Sequence, residues 1–181
     1  MKIHNEFTVP VPPLEAWTML TDVPRIAHCA PGTQLLEQSD DGTYVGTIAV
    51  RLGPVLLNFK GKVKYKEVDD ANHRVVAEAS GSETKARGTA QANVAFALVS
   101  APEGTRVLVD TDLQLAGSIA QYGRGAALIQ NTAQVIMNEF ARNFAALLGP
   151  QDGTEREAHD PAKPISGLKV LLHGVRNTIK G

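Results

Sequence analysis

Apolar and polar side chains alternate, or recur at helical spacing, along most of the chain, and the two periods sort it into elements. Lys2 to Val9 alternates, with Ile3, Phe7 and Val9 among the apolar positions, and predicts a first strand. Pro10, Pro12 and Pro13 stop it. Proline suits the first turn of a helix, and Leu14 to Leu20 supplies a short one carrying Trp17. A second short helical piece is expected after Thr21-Asp22, where either residue can cap it, and it ends before Ala30-Pro31-Gly32. From Thr33 to Ala116 strand follows strand. Gln34 to Glu37 is short, and Tyr44, Ile48 and Val50 alternate in the next. The clearest strand alternates Leu57, Phe59, Val63 and Tyr65 with Asn58, Lys60, Lys62, Lys64 and Lys66. Further strands are expected at Arg74 to Ser80, Lys85 to Val99 and Thr105 to Ala116. Turns at Asp40-Asp41-Gly42, Gly53-Pro54, Asp69-Asp70-Ala71-Asn72 and Pro102-Glu103-Gly104 are short enough for hairpins, which means an antiparallel meander.

The last of these segments is different. From Gly117 to Leu148, Ile119, Tyr122, Ala126, Ile129, Ala133, Ile136, Phe140, Phe144 and Leu147 follow at steps of three or four. That spacing predicts one continuous helix of over about 40 Å. Gly149-Pro150 closes it with the signal expected past a helix end. No earlier helix is long enough to partner it, so its apolar face must lie on a sheet. The expected fold is α+β: a helix-grip fold, with a seven-stranded curved antiparallel sheet wrapped around a long C-terminal helix and two short helices after the first strand.

The inward positions carry little bulk. Gly46, Gly61, Ala77, Ala79, Ala90 and Ala92 accompany Phe59, Val94, Phe96 and Leu98 on the strands, and the start of the helix offers Gly117, Gly123, Gly125, Ala126, Ala127 and Ala133. Small residues on both walls either bring helix and sheet closer or leave a cavity of a few hundred Å³, the size of a small-molecule site. In the second case the first half of the helix borders the cavity, and Ile136, Phe140, Phe144 and Leu147 seal the core.

Composition narrows the classes. Apolar content of 43% and charged content of 20% over 181 residues describe one core-forming domain with a tail. A net charge of −1 argues against general nucleic-acid binding. One cysteine, Cys29, excludes an internal disulfide and suits a reducing compartment. The N-terminus lacks the apolar core of a signal peptide, and no apolar run reaches the length of about 18 residues that a spanning helix needs. His4, His28, His73, His159 and His173 are scattered without metal-ligand spacing. Cys29 reads as a small buried apolar residue. Gly123-Arg124-Gly125 lacks the rest of a dinucleotide fingerprint. No catalytic residue and no metal ligand is expected, and the pattern favours a binding protein over an enzyme. The lysine row at 60, 62, 64 and 66 reads as a solvated outer face that resists aggregation, or as a docking patch for a membrane or an acidic partner.

Residues 1–148 form the expected ligand-binding domain. Residues 149–164 (GPQDGTEREAHDPAKP), with three prolines and two glycines, read as a flexible linker. Residues 165–181 return to helical spacing at Ile165, Leu168, Leu172, Val175 and Ile179, widened by Leu171, with Lys169, His173, Arg176 and Lys180 along one flank. A short basic amphipathic helix behind a linker has the form of an interfacial anchor. Leu168, Lys169, Leu171, Leu172, Val175, Arg176, Ile179 and Lys180 are its expected membrane contacts. Packing on its own domain or on a partner protein is the alternative.

The segments VPPLEAWTMLTD, HCAPGTQLLE, GTYVGTIAVRLGPVLLNFKGKV and AGSIAQYGRGAALIQNTAQVIMNEFARNF are similar to those of the carbon monoxide dehydrogenase G-subunit family, within the START/Bet v 1-like superfamily of helix-grip domains. The resemblance covers residues 1 to about 148. It implies an accessory protein encoded beside molybdenum-containing hydroxylases, not one of their catalytic subunits, and it carries no catalytic residues. Joined to the physical reading, it suggests a carrier for the hydrophobic small molecule that takes electrons from such an enzyme, an isoprenoid quinone such as menaquinone. Phe59, Phe96, Leu98, Leu115, Tyr122, Ala126, Ile129, Ala133 and Ile136 are the expected walls, with the Tyr122 hydroxyl able to reach a carbonyl oxygen. No covalent or metal cofactor is expected. The expected partners are the dehydrogenase and, through the tail, the membrane; the expected location is cytoplasmic, peripheral on the inner face of the cell membrane. A ligand-free scaffold, a maturation factor and an enzyme of the polyketide-cyclase kind are the alternatives.

Overall fold

A computed structural model of the protein describes residues 1–85 and 88–149. The tail proposed as linker and anchor lies outside the described residues. Met1–Gly149 is one compact unit. Its strands are β1 (Lys2–Val9), β2 (Thr33–Gln38), β3 (Thr43–Leu52), β4 (Val55–Asp69), β5 (Arg74–Glu83), β6 (Gly88–Ala101) and β7 (Gly104–Gly117). They form one antiparallel sheet in the order β1-β7-β6-β5-β4-β3-β2. The meander runs from β2 to β7, and β1 closes onto β7 at the far edge.

Two short helices, α1 (Pro13–Leu20) and α2 (Val23–Ile26), follow β1, with a 3₁₀ turn at Ala27–Cys29. The Asp22 carboxylate caps α2 by accepting from the Arg25 backbone N–H at 3.2 Å. The indole N–H of Trp17 donates to Asp70 at 2.9 Å, and its ring lies 5.3 Å from that of His73. These contacts pin α1 to the β4–β5 hairpin. The buried hydroxyl of Thr105 donates to the Val11 carbonyl at 2.7 Å, which ties β7 to the chain entering α1.

The long C-terminal helix departs from the sequence pattern. The continuous helix expected over 117–148 is broken: Ser118–Arg124 is a 3₁₀ segment, and the regular helix α3 spans Ala126–Leu148, about 35 Å at 1.5 Å per residue. Two causes act together. Gly117 turns the chain out of β7 at φ 70°, ψ −150°, a backbone region that side chains other than glycine avoid. Ile119 is then anchored, 1% exposed, directly over Gly88, where even a Cβ would stand 2.6 Å from its Cγ1. With Gly123 and Gly125 adding backbone entropy, the segment follows its anchor rather than the helix. The strand expected from Lys85 starts at Gly88 among the described residues.

The pattern of α3 is also less buried than its spacing predicts. Only Ile129 and Phe144 are fully covered, and Leu147, expected to seal the core, is exposed while Leu148 packs inward. The helix lies chiefly over β1 and the 27–29 turn, with a further approach to β3. The Asn143 side-chain amide donates to the Cys29 carbonyl at 2.9 Å and fixes its C-terminal half on that turn.

Candidate functional site

The inner face of the sheet has bulk at both ends and little in the middle. At one end Trp17, Leu20, Cys29, Val75, Leu98, Val107 and Phe144 form a dense core. Phe7, Phe140 and Phe144 meet there with centroids 5.8 to 6.4 Å apart, and Phe96 lies 6.3 Å from Trp17 and 6.2 Å from Tyr65. At the other end Ile3, Leu52, Leu57, Ile119 and Ile129 form a second core, joined by Val50, Phe59, Leu115 and Tyr122.

Between them run two cross-strand rows. Gly46, Gly61, Gly81, Ala90 and Leu115 stand side by side on β3 to β7, and next to them stand Tyr44, Val63, Ala79, Ala92 and Leu113. Opposed residues in an antiparallel pair share a face, so a band of glycine and alanine crosses the inner surface. Gly61 and Gly81 approach so closely that a Cβ on Gly61 would lie 2.3 Å from the Ser80 carbonyl oxygen. The two backbones meet without side chains, and nothing rises from that floor. Ile136 of α3 belongs to neither core, and like Gly46, Gly61, Val63, Ala79, Gly81 and Ala92 it stays half-buried although it is apolar or small. The result is a half-buried strip of small residues flanked by two filled ends.

Polar groups on this side are few and placed. Thr33 pairs with Ile48 and so shares the inner face; its hydroxyl is buried and lacks a hydrogen-bond partner among the described residues. Buried hydroxyls are ordinarily satisfied, so this one stands out. Glu83, 6% exposed, accepts from the backbone N–H groups of Asn58 at 3.2 Å and Lys85 at 2.7 Å. Tyr65 donates its hydroxyl to the Leu20 carbonyl at 3.1 Å, and burial pushes its phenol well above the ordinary value. Burial likewise raises the Cys29 thiol, which keeps it protonated and unreactive. Among the described residues no group of three or more His, Cys, Asp or Glu is placed to hold a metal ion. Nor is any helix among them long and apolar enough to cross a membrane.

The nine expected wall residues separate into groups. Phe59, Leu115, Tyr122, Ile129 and Ala133 gather at the second core beside the strip. Ile136 is half-buried and joins neither core. Phe96 and Leu98 belong to the dense core with Trp17, and Ala126 is exposed in the first turn of α3. Thr33 and Gly81 escaped the sequence pattern. Thr33 sits at a strand start with no periodic neighbour to mark its face, and Gly81 emerges only from its register against Gly61. The pocket of about 430 Å³ that the described residues outline is not between helix and sheet. It is an open groove lined mainly by outward positions, among them Val45, Lys60, Lys62, Ser80, Thr89 and Gln91.

A family model for the G subunit of carbon monoxide dehydrogenase, CoxG, matches residues 6–149. No curated protein matches the chain. Solved structures match it at low identity over most of both chains. A conserved protein from Geobacillus kaustophilus superposes with a TM-score of 0.69 at 13% identity, covering 82% of this chain and 95% of its own. The Zhui aromatase/cyclase from Streptomyces sp. R1128 gives 0.56 at 11% identity, with 81% and 92% covered. Ara h 8.0201 gives 0.50 at 15%, with 83% and 99% covered. At such identities the likeness establishes the helix-grip fold.

Proposed function

The chain belongs to the CoxG family of carbon monoxide dehydrogenase, and from that premise we propose that it is a non-catalytic carrier which loads an isoprenoid quinone and presents it to the dehydrogenase. Family membership suggests an accessory role; the ligand is argued from the site. The observation that carries it is the glycine and alanine strip between two filled cores. A flat quinone ring needs a floor free of protruding side chains and a roof of soft apolar groups. Gly61, Gly81, Ala79 and Ala92 offer the first, Ile136 and Ala133 the second. The orphan Thr33 hydroxyl and the Tyr122 hydroxyl are the groups available to the ring carbonyls. Phe59 and Leu115 would flank the ring, and the prenyl chain would run toward the half-buried inner face of β3 and β4.

In this reading Phe96, Leu98 and Ile129 support the walls rather than touch the ligand. The basic segment 165–181 would bring the carrier to the membrane surface where quinones reside, on the cytoplasmic side where the dehydrogenase works. The partly buried phenol Tyr65 donates to the Leu20 carbonyl and so serves the packing of α1 on β4.

The deciding experiment is native mass spectrometry, with organic extraction, of full-length protein purified from its own membranes. One isoprenoid quinone per chain is expected. Retention of phospholipid without quinone would refute the carrier reading, and an empty protein would favour the scaffold. In parallel, removal of 165–181 should abolish co-sedimentation with anionic liposomes while leaving quinone loading intact; undiminished sedimentation would remove the anchor.

A further inference from the structure

We infer that the outer groove of the sheet is a docking site for an acidic peptide segment of a partner protein. The cross-strand registers lay out its walls. Thr47, Lys60, Ser82 and Thr89 stand abreast on β3 to β6, and beside them stand Val45, Lys62, Ser80 and Gln91. Lys60 and Lys62 alternate on β4, so both side chains leave the same face from backbone positions about 7 Å apart. The floor is the backbone of Gly61 and Gly81, bare on this side as on the inner one.

The lysine row divides here. Lys64 is held by Asp41 at 2.8 Å and Lys66 by Glu78 at 3.1 Å. Lys60 and Lys62 have no acidic partner among the described residues; directly across from them stand Thr47 and Ser82 at Lys60 and Val45 and Ser80 at Lys62, all uncharged, with Glu37 one strand further on beside Val45. The default reading of a lysine strand as a solvated face fits 64 and 66, whose charge is already neutralised. At 60 and 62 two uncompensated cations border a groove of about 430 Å³ filled with hydrogen-bond donors. A small anion would gain little, because both lysines are exposed and single exposed ion pairs are weak in water. An extended acidic stretch crossing the four strands meets both lysines and the hydroxyl and amide groups beside them at once, while its ends are held by the rest of the partner. Charge and shape therefore select a peptide.

Fluorescence anisotropy of a fluorescein-labelled octaglutamate peptide, titrated with the full chain, tests this. Saturable binding that weakens with salt is expected. The K60Q/K62Q protein should lose about tenfold in affinity, whereas K64Q/K66Q should change by less than about threefold. Both positions are exposed, so the melting temperature of K60Q/K62Q should match the parent. Should that variant fold poorly, S80E places a carboxylate directly opposite Lys62 and should weaken the peptide in the same way. Absent binding, or equal loss from both double variants, would overturn the proposal. So would phosphatidylglycerol vesicles that need Lys60 and Lys62 while the peptide does not. None of these residues faces the inner strip, so quinone loading stays as a separate measurement.

Discussion

The filled end around Phe144 and the strip of glycine and alanine beside it use the same helix to opposite purposes. Around Phe144, which is fully buried, three phenylalanines from β1 and α3 interlock with Trp17, Leu98 and Val107. About two turns back along α3, Ile136 belongs to neither core and stays half-exposed. A uniform core would stabilise the fold more, since each buried methylene contributes about 0.8 kcal/mol. Concentrating the bulk in the two flanking cores lets the strip between them stay free of large side chains at a bearable cost. The comparison teaches that stability and ligand capacity are separable along a single helix.

The largest expected effect breaks the filled end. Phe144→Ala removes a fully buried ring from a dense aromatic group and should cost about 3–5 kcal/mol of unfolding free energy. Ile136→Ala, about two turns earlier in the same helix, should cost less than about 2 kcal/mol, because it has few contacts to lose. Chemical denaturation of both variants checks the contrast. Equal losses would mean that the strip is packed as tightly as the core.

Filling the strip tests the same contrast from the other side. Ala92→Phe puts a ring above the glycine floor, where overpacking of a filled interior would cost about 1–3 kcal/mol. In an under-filled strip the ring is accommodated, so the melting temperature should hold within a few degrees while quinone loading, read by extraction, falls to background. Gly61→Ala is the counter-example: its Cβ meets the Ser80 backbone at 2.3 Å, so it should destabilise the sheet whether or not a ligand binds.

A smaller effect isolates the orphan hydroxyl. Thr33→Val keeps the shape and removes a buried polar atom without a partner, so the ligand-free protein should gain about 1 kcal/mol. If the hydroxyl serves a ring carbonyl, the same change weakens quinone retention several-fold. Opposite signs on stability and retention are the signature; a loss of both would make Thr33 a structural residue.

Much of the fold was legible because its strands are amphipathic and their turns short. Ile3, Phe7 and Val9 face one way on β1, and the β4 lysines the other. The helix-grip order followed from counting those elements. The break at Gly125 was not legible, since Ile119 and Tyr122 keep helical spacing through it. What pulls them away is Gly88, about thirty residues earlier, and only the tertiary register brings the two together. The site was half legible for the same reason. Ala79 and Ala92 announce a thin interior, but that Gly61 and Gly81 meet back to back, and that Thr33 joins their side, depends on which strands pair. The lysines show it most sharply: four alike in sequence become two paired and two without an acidic partner among the described residues once Asp41 and Glu78 are in place.

That last division gives the smallest prediction, on the polar outer face rather than in the apolar interior. The Asp41 carboxylate accepts from Lys64 at 2.8 Å and from the Thr43 hydroxyl and backbone N–H at 3.0 and 3.1 Å, which lowers its pKa to about 2 from 3.8. Because the folded value lies below the unfolded one, the unfolded chain binds more protons between the two, and stability rises with pH across that window. The contribution is complete above about pH 4 and is lost as pH falls through about 2. The site is fully exposed, so salt screens it and the effect on melting is slight. Asp41→Asn should therefore lower the melting temperature by a small amount at pH 6. The difference should shrink steadily between pH 4 and pH 2 and also shrink in 1 M salt. No difference at any pH would assign the role of Asp41 to the turn geometry it shares with asparagine, and would leave the Lys64 pair without a measurable contribution.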